Sequence, residues 1–317
     1  MKLSEAQRII RDRLQSRELR IVLGAGIVLL SLGLLAYYVS RNWAALTAYH
    51  WRLNYVQVAW TVLFDLCAYF VAILAWHSMA KRLAGADDLI LNTKVYCYGA
   101  VAGRLPGIAW GIAARVLLYA QAGVSKSVVG LASLLEMMIT IVAGVVFCLA
   151  ATPFTLSYAS RLGPWSLLAA LGLGILLIHP RLVTWVVRKV NKAALPVALR
   201  YRDTLRWLFM YLGTWIISGL MMYATVRSVY ALPSRYMLQV ITDWTLAGVL
   251  TSFVTFVPSS LGLKEVTLTL LMSRYMPGYI AVVAAILMRL FSVGYSVLWM
   301  LCAAPLRRPR SDARRSA

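Results

Sequence analysis

Residues 128–150 read VVGLASLLEMMITIVAGVVFCLA, 23 residues with one charged side chain, Glu136. A hydrocarbon core about 30 Å thick is crossed by roughly 20 helical residues at about 1.5 Å rise each, so the run predicts a membrane-spanning helix. Runs of the same kind recur at 21–39 without a charge, at 207–226 without a charge, and at 279–306 broken only by Arg289. Apolar residues make up 61% of the chain and charged residues 14%, with a mean hydropathy of +0.74. A globular domain is about half apolar and a quarter charged, so a 317-residue soluble fold could not hide this much apolar surface. Trp and Tyr gather near run ends, at Tyr37, Tyr38, Trp43 and Trp207, where amphipathic rings prefer the headgroup level.

The net charge of +21 raises the question of nucleic acid, and its distribution answers it. Residues 1–20 carry six basic and three acidic side chains, 181–206 seven and one, and 307–317 five and one. With Lys81, Arg82, Lys94 and Lys126 this puts 22 of the 32 Lys and Arg on one side of the membrane, against six on the other: Arg41, Arg52, Arg161, Arg227, Arg235 and Arg274. That is the positive-inside bias, with both termini in the cytoplasm. The basic face then meets anionic lipid at about 1 kcal/mol per nearby Lys or Arg, and no nucleic-acid partner is expected. Leu3, Ile10 and Leu14 share a helical face among arginines, so residues 1–20 form either an interfacial amphipathic helix or a solvated tail. They are too charged and too long for a signal-peptide leader, and 21–39 reads as a retained span.

Cys67, Cys97, Cys148 and Cys302 stand singly in apolar segments, and His50, His77 and His179 are equally isolated. Neither set has disulfide or metal-site spacing, so no metal and no cofactor are expected.

The expected fold is all-α, a polytopic transmembrane helical bundle. Its six full spans lie at 21–39, 56–79, 128–150, 164–179, 207–226 and 279–304 in a single transmembrane domain over 21–306, followed by a basic tail at 307–317. Two further hydrophobic regions, 90–122 and 237–275, are each interrupted near the middle, by Arg104-Leu-Pro106-Gly107 and by Pro258-Ser259-Ser260-Leu-Gly262. Proline removes an amide donor and glycine loosens the backbone, so these positions act as helix-break hinges. Each region is either a re-entrant hairpin or a pair of kinked spans, giving six to eight crossings. As hairpins, the first opens to the cytoplasm and the second to the outside, an inverted repeat. Pro106 precedes Glu136 by 30 positions and Pro258 precedes Arg289 by 31. Paired broken helices in two halves point to a midplane transport site.

Eight ionisable residues fall within the apolar segments: Asp65, Arg104, Arg115, Glu136, Asp243, Lys264, Glu265 and Arg289. A charge at the bilayer centre costs from roughly 3 to more than 10 kcal/mol, so each must pair or face a hydrated cavity. The four acids and four bases suit a polar interior that a charged headgroup could enter; equally, some pairs could only fix helix packing. Arg104 and Lys264 either face that interior or snorkel toward headgroups. The helix after each break starts with unpaired amides that attract phosphate, and Ser259 and Ser260 add hydroxyl donors.

At these broken elements the chain resembles the transmembrane-region family of lysylphosphatidylglycerol synthases, flippase-like integral membrane proteins. Residues 99–124, GAVAGRLPGIAWGIAARVLLYAQAGV, are similar to that family's Gly-Arg-x-x-Pro-Gly element with its downstream Arg, at Arg104, Pro106, Gly107 and Arg115. The following SVVGLASLLEMM resembles its glutamate-bearing span, with the Glu at Glu136. VPSSLGLKE at 257–265 is similar to its Pro-Gly-Gly-Leu-Gly-x-x-Glu element, and AAILMRL to its Arg-bearing last span, at Arg289. Ser259 and Ser260 stand where the family has glycines, and the acidic residue that often follows the first Pro-Gly is absent.

Members that make lysyl lipid carry a large cytoplasmic aminoacyl-transferase domain; eleven residues follow Leu306 here, so synthase activity is not expected. The resemblance leaves lipid translocation in a bacterial cytoplasmic (inner) membrane. In that reading Arg104, Arg115, Lys264 and Arg289 face an anionic or phosphate-bearing headgroup, while Glu136 and Glu265 hold them. No nucleotide-binding loop is recognisable, so uphill movement would draw on an ion gradient or membrane potential. Two alternatives remain at this stage. One is an intramembrane lipid-phosphate enzyme using Asp65, Glu136 or Asp243. The other is a non-catalytic partner of a glycosyltransferase or lipid-modifying enzyme.

Overall fold

The computed structural model describes residues 43–104, 109–155, 163–191, 198–254 and 262–306, together with Gly33, Ala36, Tyr37 and Ser40. The segment expected at 1–20, nearly all of the span at 21–39, the tail at 307–317, the hinge residues Pro106, Gly107 and Pro258, and the expected lining residues Ser259 and Ser260 lie outside the described residues. Among the described residues the regular structure is helical and no strand occurs.

Among the described residues four helices are long and apolar enough to cross a membrane: α2 (Tyr55–Ala84), α5 (Lys126–Thr155), α8 (Tyr201–Val229) and α11 (Gly278–Ala303). A short α1 (Trp43–Ala48) precedes them. Local chemistry sets the ends of α2. The Asn54 side chain accepts hydrogen bonds from the amides of Val56 and Gln57, and the chain leaves the helix through Gly85 at φ 66°, a conformation glycine adopts without steric cost. Helices α2, α5 and α8 run past the apolar runs read from sequence at both ends, because a helix extends into its polar flanks while a hydropathy run stops at the first charge, whereas α11 ends slightly short of its run. Exposed Trp60, Leu63, Leu66 and Phe70 on α2 give it an apolar outer surface of the kind that marks a lipid or protein contact.

Between the long helices are shorter ones. The first interrupted region forms α3 (Leu89–Ala102) and α4 (Ala109–Ala120), and the second forms α9 (Met237–Val254) and α10 (Leu263–Met272). The 14 residues of α3, 12 of α4 and 10 of α10 fall well short of the roughly 20 a crossing needs. The limbs of the first pair run antiparallel, since Tyr119 near the end of α4 donates to Asn92 at the start of α3 at 2.6 Å. In the second pair Arg274, just beyond α10, reaches back to Asp243 on α9 at 2.7 Å. Both interrupted regions are therefore helical hairpins. Residues 181–206, read from sequence as a basic loop, are largely helical: α6 (Gly163–Leu177) is followed by α7 (Pro180–Asn191), and α8 takes in 201–206. Basic residues on one face of α7 hid it from a hydropathy reading.

The two hairpins open at opposite ends of the bundle. Arg82 at the end of α2 pairs with Asp203 at the start of α8 at 2.9 Å, so these two helices are antiparallel. The first hairpin opens beside that ion pair, and the second opens beside the far end of α8. The packing is reciprocal. Alpha helix α2 lies along α8; α2 touches α3 as α8 touches α9; α4 packs on α5 as α10 packs on α11. The first limb of each hairpin crosses to the other half, α3 against α11 and α9 against α5. One hydrophobic core surrounds the first hairpin, centred on Trp76, Leu135 and Trp207, and another surrounds the second, centred on Met222, Met272 and Ile280.

Close contact within the first hairpin depends on glycine. A Cβ at Gly111 would stand 3.0 Å from the Gly99 carbonyl oxygen and 3.2 Å from the Gly103 Cα, backbone that cannot step aside. Gly111→Val is thus expected to spread α3 from α4 at a cost of about 1–3 kcal/mol. Thermal unfolding in detergent measures this, and an unchanged midpoint would mean the limbs are not in contact.

Candidate functional site

Charged side chains collect where the hairpins meet the long helices. On the first half, α4 carries Arg115 and α5 carries Glu136. Arg115 donates through Nη1 to Glu136 Oε2, and Tyr211 on α8 donates to Oε1 at 2.9 Å. The pair is almost fully enclosed, with side chains 11% and 12% exposed. The Arg115 guanidinium also lies 4.1 Å from the Trp76 ring centre and 5.2 Å from that of Tyr96, so aromatic faces share in holding its charge. Trp76 is fixed in turn by its indole N–H donating to Tyr119 at 3.0 Å, and Tyr119 by its bond to Asn92. Gly99 leaves room for the arginine stem, since a Cβ there would stand 2.8 Å from its Cγ.

On the second half the signs are exchanged. The hairpin helix α10 carries the acid, Glu265, and the long helix α11 carries the base, Arg289, which donates to Glu265 Oε1 at 2.8 Å. Lys264 precedes Glu265 and its ammonium rests 3.2 Å from the Trp244 ring centre. Arg104, at the end of the first hairpin's first limb, bonds across to α11, to the Ser292 hydroxyl and carbonyl and the Ser296 hydroxyl at 3.1–3.2 Å. Neither Arg104 nor Lys264 has a carboxylate within ion-pair distance among the described residues.

Three cavities join these groups. One of about 240 Å³ lies against the first hairpin, lined by Arg115, Ser133, Glu136 and Thr140. A central one of about 330 Å³ shares Glu136 and Thr140 with it and adds Asp65, Arg104, Tyr211 and Trp244. A third of about 130 Å³ shares Arg104 and Trp244 with the central one and adds Lys264, Glu265 and Arg289. Seven of the eight charges expected within apolar segments therefore line three neighbouring cavities that share wall residues, four of them basic and three acidic. The eighth, Asp243, is elsewhere: 2% exposed, it is held by Arg274 at 2.7 Å and Tyr275 at 2.9 Å as a clasp between the limbs of the second hairpin. It is not among the residues that line these three cavities. Asp65 accepts from Trp299 at 3.2 Å and lies on the cavity wall. Of the expected lining residues, Ser259 and Ser260 are outside the described residues.

Sequence reading missed the aromatic partners. Tyr211, Trp76, Tyr96 and Trp244 looked like ordinary members of apolar helices, and their spacing carries no signal of what they face. No cluster of three or more His, Cys, Asp or Glu capable of holding a metal occurs among the described residues.

The fold and site thus define an all-α protein with four helices fit to cross a membrane and a charged interior between two helical hairpins. Compared with known proteins, the chain matches no family model, no curated protein and no solved structure.

Proposed function

We propose that this chain lies in a bacterial inner membrane with six full spans, two re-entrant hairpins and both termini in the cytoplasm, and moves a charged or phosphate-bearing lipid between leaflets. The observation that carries this reading is the set of three neighbouring cavities, sharing wall residues, between oppositely opening hairpins and lined by four bases and three acids. A headgroup crossing hydrocarbon alone loses its hydration; fixed side-chain charges and hydrogen-bond donors along a wet path replace it.

When Arg115 turns to an anion, Tyr211 still donates to one oxygen of Glu136 and offsets part of the loss. The aromatic faces of Trp76 and Tyr96 lie against the guanidinium and share in holding its charge. The acyl tails need no such path and remain in the hydrocarbon.

The test is a leaflet-exchange assay in vesicles. With the protein reconstituted, a fluorescent phosphate-bearing lipid is expected to become accessible to an external quencher far faster than in protein-free vesicles, and Arg115→Ala protein is expected to return to the protein-free rate. Labelled lipids of many headgroups that all stay in their original leaflet would end the proposal.

A further inference from the structure

The central cavity, about 330 Å³, carries one spare charge of each sign. Glu136 on its wall is taken by Arg115, whereas Asp65 and Arg104, the other two charged residues there, have no ion-pair partner among the described residues. Asp65 faces this space. With Ala68, Tyr69 and Ala72 it makes a lining stripe on α2 at the i, i+3, i+4 and i+7 spacing of one helical face, while Leu63, Leu66 and Phe70 look outward. Its Oδ2 accepts from Trp299. Its Oδ1 has no partner among the described residues, yet it is not one of the unpartnered polar atoms closed off from water. An acceptor is therefore open on the cavity side of the helix. Arg104 is open in the complementary sense: a guanidinium has more N–H donors than its bonds to Ser292 and Ser296 use.

A space whose spare charges are one carboxylate and one guanidinium is complemented by a ligand that carries one of each. An anionic headgroup answers Arg104 and sets its charge against Asp65. A headgroup with surplus positive charge answers Asp65 and brings a cation toward Arg104, and toward Lys264 and Arg289 in the adjoining small cavity. We propose that the central cavity binds a zwitterionic phosphodiester headgroup of no net charge, its phosphate on Arg104 and its ammonium on Asp65. The volume falls at the lower end of small-ligand pockets, about 300–1,000 Å³, which suits a headgroup whose tails stay outside. The lipid nature of the ligand rests on the transport reading above; the zwitterion preference does not.

Equilibrium binding tests this. The full chain in maltoside micelles is titrated with phosphatidylethanolamine, a zwitterion, and with phosphatidylglycerol, an anion of the same tails. Phosphatidylethanolamine is expected to bind about tenfold more tightly or better, the ratio one charge-assisted hydrogen bond supports. Asp65→Asn keeps an oxygen for Trp299 and removes the charge. It should bring the two affinities together, by weakening phosphatidylethanolamine and tightening phosphatidylglycerol; a change that merely loosened the fold would weaken both. Arg104→Gln, at an exposed position, should weaken both lipids and leave the preference in place. Equal affinities in the unaltered protein, or a preference that survives Asp65→Asn, would overturn the inference. Tighter binding of lysylphosphatidylglycerol, whose headgroup carries net positive charge, would overturn it as well. Displacement by glycerophosphoethanolamine at concentrations matching the lipid would keep the zwitterion site and assign it to a soluble headgroup. Failure of that solute to compete supports a lipid-borne one. A zwitterion preference in protein that exchanges no lipid between leaflets upholds the site and removes only the transport reading, and exchange without the preference does the reverse.

Discussion

Glu136→Ala is expected to lower stability by about 3–5 kcal/mol and to abolish lipid exchange, because it leaves a guanidinium enclosed in the protein without its counter-charge. Arg115 has 11% of its side chain exposed, so water cannot take over from the carboxylate. The stacked Trp76 and Tyr96 offset part of the loss, at about 0.5–2 kcal/mol for a cation–π contact, which keeps the penalty from being larger. Tyr211 loses its acceptor at the same time. Glu136→Gln should cost less, since an amide oxygen still accepts from Tyr211. The decisive comparison is the double change of Arg115 to Met and Glu136 to Leu. Replacing both members of a buried pair by apolar residues of similar volume is often neutral for stability. That protein should therefore unfold near the parental midpoint yet leave lipid where it was. Recovery of exchange along with stability would make the pair a packing device and nothing more.

Much of this architecture is written in the sequence because the bilayer is a strict solvent. Length and apolar content fix where α2, α5, α8 and α11 run, and Pro and Gly mark where α3 gives way to α4 and α9 to α10. Charge partners are less legible. Arg115 and Glu136 are 21 positions apart, Glu265 and Arg289 are 24. Asp243 finds its base in Arg274, 31 positions away, a residue counted from sequence among the outer-side cations. Nothing local distinguishes these pairings from others; the first two exist because a hairpin folds back on the long helix that follows it, and the third because the limbs of the second hairpin close on each other. The same holds for Arg104, which reaches Ser292 and Ser296 in the other half of the chain. Which face of an apolar helix looks inward is a tertiary fact, and the aromatic partners of Arg115 and Lys264 depend on it.

The reciprocal packing gives the two ion pairs equivalent places, hairpin helix to following long helix, with the acid and base exchanged. Each half thus keeps one acid paired with one base, whichever of its helices carries which.

Arg289→Ala should accordingly act as strongly as Glu136→Ala, with an expected loss of about 3–5 kcal/mol and no measurable exchange. Glu265 is buried, and Arg289 is the base that answers it, so the change leaves both carboxylate oxygens open among the described residues. Arg274→Ala is the matching control in the same half. It also removes the base of a buried acid, but Tyr275 still donates to Asp243 at 2.9 Å, and the Arg274 side chain is 44% exposed. Its cost should be smaller, and because Asp243 stands off the cavities, exchange per folded molecule should stay near the parental rate. Measured side by side by thermal unfolding and vesicle exchange, the two substitutions separate charge that holds the fold from charge that serves the passage. If Arg274→Ala stopped exchange as completely as Arg289→Ala at equal amounts of folded protein, position along the cavities would have no bearing on transport.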